Sequence, residues 1–231
     1  MPIFYMPNTA GRPAPPPAAQ LPNGETRLPA LIALLAVGGL FYFLPPALRV
    51  GPSWLVPALV TALIVPAALF RRRNPRANQI LSYSALSVAT AAMVASLVLL
   101  VSRLPLHKEK PVQLLLSATG LWLCNTVIFA SWYWRLDAGG PNKRDLRESH
   151  TDGAFLFPQM TLSPQLRKEM GEDQWRPGFV DYLFLSFNTS TAFSPTDVLI
   201  LSRWAKVLMM VQSLISLSTI AILAARAINI L

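Results

Sequence analysis

The chain has 231 residues, 53% of them hydrophobic and only 13% charged, with a formal net charge of +9 and a mean hydropathy of +0.42. Its charged fraction is about half that of a soluble domain, and its apolar residues come in blocks near the ~20 that a helix needs to cross a bilayer core. That sets aside a soluble globular fold. It also sets aside nucleic acid as the partner of the positive charge, because the basic residues cluster at block ends and do not interleave with aromatics.

Residues 1–27 read as a disordered Pro-rich tail, with prolines at 2, 7, 13, 15, 16, 17 and 22 and no apolar periodicity. No early apolar core follows a basic start, so a signal peptide is not expected. The first predicted span is Leu28–Leu44, closed by Pro45-Pro46. The second is Ser53–Phe70, followed at once by Arg71-Arg72-Arg73 and Arg76. The third, Ile80–Val101, is rich in Ser and Ala. Small residues let membrane helices approach closely, so this helix is expected at the centre of the bundle. The fourth is Val112–Trp134, ending in Trp132-Tyr133-Trp134 as an interfacial aromatic belt.

Residues 135–177 read as a polar loop, with a short surface helix over Leu162–Met170 capped by Ser163 and led by Pro164. Gly178–Phe193 is apolar with a polar end. Its 16 residues make about 24 Å of helix, marginal for crossing and suited to a re-entrant half-helix. A turn around Pro195 follows, then a long final helix over Ile200–Ile230, with Asp197 or Ser202 as its cap. The expected fold is therefore all-α: a polytopic membrane bundle of about five transmembrane helices plus a re-entrant or short sixth segment.

Charge sets the expected orientation. With five spans, one side collects Arg12, Arg27, the four arginines after the second span, the Lys and Arg residues between 135 and 176, Arg203 and Lys206. The other holds Arg49, Arg103, Lys108, Lys110 and Arg226. The positive-inside rule makes the first side, with the N-terminus and the 135–177 loop, cytoplasmic.

Asn188, Thr189, Ser190, Thr191, Ser194 and Thr196 offer oxygen ligands at the end of the half-helix, and Asp197 offers a charge ring in a homo-oligomer. In the last helix Gln212, Ser216 and Thr219 form one polar stripe. The stripe either lines a watery path or bonds to neighbouring helices. Arg226 is expected to snorkel to the interface.

Enzyme chemistry is not expected. His107 and His150 lie in loops of different spans, and no nucleophile motif, paired carboxylates or phosphate-cradling loop stands out. The lone Cys124 reads as a buried hydrophobe. Neither a metal nor a cofactor is expected. Two functions fit: a conduit for an inorganic ion, or a scaffold or accessory subunit that binds a partner through residues 136–177.

The segment from Phe179 to Asp197 distantly resembles the pore loop of two-transmembrane potassium channels: half-helix, polar end, acidic residue, inner helix. Thr191-Ala192-Phe193-Ser194-Pro195-Thr196-Asp197 lacks the glycines of a carbonyl filter, and it approaches from the cytoplasmic side. Trp132-Tyr133-Trp134-Arg135-Leu136-Asp137, Gly139-Gly140-Pro141, Pro177–Tyr182, Thr191–Asp197 and Ser202-Arg203-Trp204-Ala205-Lys206 resemble an uncharacterised family of bacterial integral membrane proteins, a domain of unknown function. The likeness covers about Leu28 to Leu231. It implies an inner-membrane location and carries no established activity.

Overall fold

The computed structural model describes residues 26–71, 73–103, 111–146, 153–191 and 197–228. The tail 1–25, His107, His150, residues 192–196 with Ser194 and Thr196, and the side chain of Arg226 lie outside the described residues. The fold is all-α apart from one short strand pair. In chain order the elements are α1 (Leu28–Phe43), α2 (Leu55–Phe70), α3 (Pro75–Arg103), α4 (Pro111–Leu136), α5 (Pro141–Arg144), β1 (Phe155–Leu156), α6 (Pro158–Thr161), α7 (Pro164–Glu169), α8 (Phe179–Thr191), β2 (Leu199–Ile200) and α9 (Arg203–Ile228).

Three helices, α3, α4 and α9, are long and apolar enough to cross a membrane, and α1 and α2 are shorter apolar helices of 16 residues. The surface of α9 tells which solvent it meets. Ala205, Gln212, Ser216 and Thr219 face inward and are buried. Val207, Met210, Val211, Leu214 and Leu217 face outward, Leu214 being 65% and Leu217 61% exposed. Water would drive the opposite arrangement. A bilayer solvates such an exterior and leaves polar groups to pair inside.

Successive helices from α1 to α4 alternate in direction. Each buries one stripe at helical spacing: Ala30, Leu34, Val37 and Phe41 on α1, then Val60, Ile64 and Ala67 on α2. Gly38 allows α1 to approach α2, since a Cβ there would lie 3.5 Å from Pro57 Cα. The central helix is α4 and not α3 as the small residues suggested. It packs against α1, α3, α8 and α9 and is the most enclosed of the long helices. The Ser and Ala residues of α3 instead set its close pairing with α2. Small side chains fix how near one neighbour comes, not how many neighbours a helix has.

At the C-terminal end of α4 the chain reverses through Asp137–Gly140. Gly140 has φ +88°, and a Cβ on it would lie 2.6 Å from the Arg135 carbonyl oxygen. Gly140→Ala is therefore expected to cost about 2 kcal/mol through strain, read as a lower thermal midpoint in detergent. The surface helix follows the sequence reading: Ser163 Oγ accepts the Leu166 N–H at 3.2 Å, and Pro164 opens α7.

Two sequence expectations are corrected here. Leu199 and Ile200 do not begin the last helix; they pair antiparallel with Leu156 and Phe155, and α9 starts at Arg203 behind Ser202, whose hydroxyl accepts the Ala205 N–H at 3.4 Å. An unbroken apolar run hid the strand. Tyr133 and Trp134 do not form a lipid-facing belt either. Both are buried, because the segment after residue 153 folds over them.

Candidate functional site

The half-helix α8 runs antiparallel to α4. Its first turn lies at the C-terminal end of α4, where Tyr182 Oη donates to Asp137 Oδ2 at 2.6 Å. One turn on, Ser186 Oγ donates to the Thr126 carbonyl at 2.6 Å. At the far end Ser190 lies level with Trp122, halfway down α4. With 13 residues the helix is about 20 Å long, too short for a bilayer core of about 30 Å. By Leu199 the chain is back at the end where α8 began, since β2 pairs with β1 and the Leu201 N–H donates to the Ala154 carbonyl at 2.8 Å.

A helix end buried at this depth leaves carbonyls without intrahelical donors, which in a low-dielectric interior must be met by side chains. Three helices meet that demand. The Ser190 carbonyl accepts from Trp122 Nε1 at 3.3 Å and from the Ser216 hydroxyl. Trp122 Nε1 also lies 3.0 Å from Ser216 Oγ. Gln212 is the hub. Its Nε2 lies 2.8 Å from the Ser186 carbonyl and 2.7 Å from both Ser186 Oγ and Ser190 Oγ, and its Oε1 accepts from the Tyr133 hydroxyl. Asn125 Nδ2 donates to the Gln212 carbonyl at 3.3 Å. Asn125, Ser186, Ser190 and Gln212 are fully buried.

The sequence-predicted residues thus divide. Ser190, Gln212 and Ser216 come together, and of the two readings of the last helix the bonding one describes them. Thr219 is buried and donates to the Ile215 carbonyl of its own helix at 2.8 Å. Asn188, Thr189 and Thr191 lie half-buried at the inner end of α8. Thr189 donates to the Leu185 carbonyl at 2.8 Å and Thr191 to the Asn188 carbonyl at 3.1 Å. Asp197 is exposed at the end of the bundle where α8 begins.

A second polar centre, at that same end, is absent from the sequence reading. Asp137 is fully buried. Its Oδ1 accepts the Ala154 N–H at 2.5 Å while Oδ2 takes the Tyr182 hydroxyl. Arg144 Nη1 donates to the carbonyls of Trp134 at 2.7 Å and Asp137 at 3.0 Å, placing a cation on the C-terminal end of α4, where the helix dipole favours one. Phe155 then packs among the rings of Tyr133, Tyr182 and Trp204 with centroids 5.4 to 6.1 Å away. Residues 154–157 form a strap binding the ends of α4, α8 and α9 together.

A third cluster joins the beginning of the bundle to α5. Arg27 Nη2 pairs with Asp145 Oδ2 at 2.6 Å, and Arg27 Nη1 donates to Asn142 Oδ1. Asn142 Nδ2 donates to Asn78 Oδ1 at 3.1 Å, and Asn78 Nδ2 to the Ala67 carbonyl near the end of α2 at 2.6 Å. Among the described residues no group of three or more His, Cys, Asp or Glu side chains is placed to hold a metal ion. No family model, curated protein or solved structure matches this chain.

Proposed function

We propose that this chain is one protomer of a membrane conduit for an inorganic ion, with the inner end of α8 at its narrow part. The observation that carries the reading is the course of α8, which enters from one end of the bundle, stops at mid-depth with its carbonyl end inward and returns to the same end. A helix end at such depth belongs where it is buried in protein or lines water, and the carbonyl end of a half-helix favours a cation. Because Ser190, Gln212 and Ser216 are committed to holding α8, the path runs past Asn188, Thr189, Thr191 and Asp197; Ser194 and Thr196, the other oxygen ligands expected from the sequence, lie outside the described residues. In this reading it lies between copies in a homo-oligomer.

The proposed topology has five crossings, α1 to α4 and α9. The more basic end, carrying Arg71, Arg73, Arg76, Arg203 and Lys206, is cytoplasmic, in an inner (plasma) membrane. The test is ion flux into liposomes. The native protein should carry a cation flux, and Asp197→Asn, at an exposed position, should lower it severalfold or change its selectivity without altering the unfolding midpoint. Folded native protein that passes no cation or anion overturns the conduit. That result would favour a scaffold binding a partner at the 136–177 segment, where α7 leaves Leu166 and Met170 exposed.

A further inference from the structure

Between Thr26 and Lys108 the sequence contains no Asp or Glu, yet it holds Arg27, Arg49, Arg71, Arg72, Arg73, Arg76 and Arg103. Arg27 borrows a carboxylate from far along the chain, Asp145. Arg71, Arg73 and Arg76 form no ion pair among the described residues. Arg71 is half-buried, and Arg73 and Arg76 are exposed.

The uncharged side chains of the turn are already used within the protein. Asn74 Oδ1 accepts the Ala77 N–H at 3.1 Å. Asn78 is spent on Ala67 and Asn142. The guanidinium-bearing side chains of Arg73 and Arg76 are left facing outward. Arg76 is the second residue of α3, so its charge opposes the positive end of that helix dipole. Arg71, Arg73 and Arg76, this near in sequence, repel one another; among the described residues no carboxylate pairs with them, and an anion from outside the chain would offset that repulsion.

We propose that the α2–α3 turn is a headgroup site for an anionic phospholipid. The surroundings select lipid over a soluble anion. Leu69 is 74% exposed, and Phe70 and Ile80 are also exposed beside the arginines. A phosphodiester over the turn brings its acyl chains onto these side chains, whereas a free anion leaves them bare. Arginine suits the role because its planar fork meets two phosphate oxygens at once. The site is independent of the conduit: it needs only a bilayer at this end of the bundle.

The test measures thermal unfolding of the full-length protein in a neutral detergent with added phosphatidylglycerol, phosphatidylcholine of the same acyl chains, or inorganic phosphate. Phosphatidylglycerol should raise the midpoint by several degrees. Arg71→Gln/Arg73→Gln/Arg76→Gln should need roughly a hundredfold more of it for the same shift, at about fivefold per arginine. The exposed pair Arg73→Gln/Arg76→Gln, whose side chains hold nothing together within the fold, should need roughly twenty-five-fold more on the same basis. Lys168→Gln, which removes a basic side chain exposed on α7, should respond as the native protein does. An equal shift with phosphatidylcholine, an equal shift with phosphate alone, or a full response in the arginine variants overturns the proposal.

Discussion

Gln212→Leu is expected to destabilise the bundle by about 3 kcal/mol, the larger share coming from groups it leaves behind. The Tyr133 hydroxyl loses its acceptor, and Ser186 and Ser190 lose an amide donor. Each orphaned buried group costs about 1–3 kcal/mol in a soluble core. Values in membranes run lower, because the unfolded chain in lipid also finds partners. The measurement is an unfolding titration in mixed micelles. A cycle with Tyr133→Phe separates hydrogen bonding from volume. Tyr133→Phe alone should cost about 1 kcal/mol, and close to nothing once Gln212 is gone. Ser218→Ala, on the exposed face of α9, should stay within about 0.5 kcal/mol. If Gln212→Leu and Ser218→Ala unfold alike, α8 is held by packing and not by its hydrogen bonds.

The second large effect is expected at Asp137. Asp137→Ala should cost about 4 kcal/mol, because it strips a buried acceptor from the Ala154 N–H and the Tyr182 hydroxyl together and removes the carboxylate from a buried polar cluster. Asp137→Asn keeps the shape but offers one acceptor oxygen in place of two, for a loss of about 2 kcal/mol. The damage should be local before it is global. Limited proteolysis should cut within residues 153–178 under conditions where α1 to α4 stay intact. Equal protection of that segment in native and variant protein would show that the aromatic cluster holds the strap without the carboxylate.

Much of the architecture is legible in the sequence because length alone decides it. Leu28–Leu44, Ser53–Phe70, Ile80–Val101 and Val112–Trp134 each have room for one apolar helix and end in Pro or Arg. The short reach of residues 178–193, with the charge balance, points to a segment that turns back. What stays hidden depends on side-chain direction. Trp122 sits in an apolar run with nothing local to mark it, yet its indole N–H reaches Ser190 and Ser216. Asp137 follows an aromatic stretch and falls within the polar loop read over 135–177. Nothing local reveals that an Ala-Phe-Leu-Phe strap will bury it. Gln212 and Ser216 are visible as a stripe, but a stripe has the same spacing whether it faces water or another helix.

The Arg27–Asp145 pair also bears on how the protein is made. The two residues are 118 positions apart, and nothing between Thr26 and Lys108 carries a negative charge. The contact that ties the start of α1 to α5 therefore forms only once the chain has been made past Asp145. The clamp that draws together α1, α2, α3 and α5 thus closes over four helices already made, joining the start of the bundle to a segment that follows all of them.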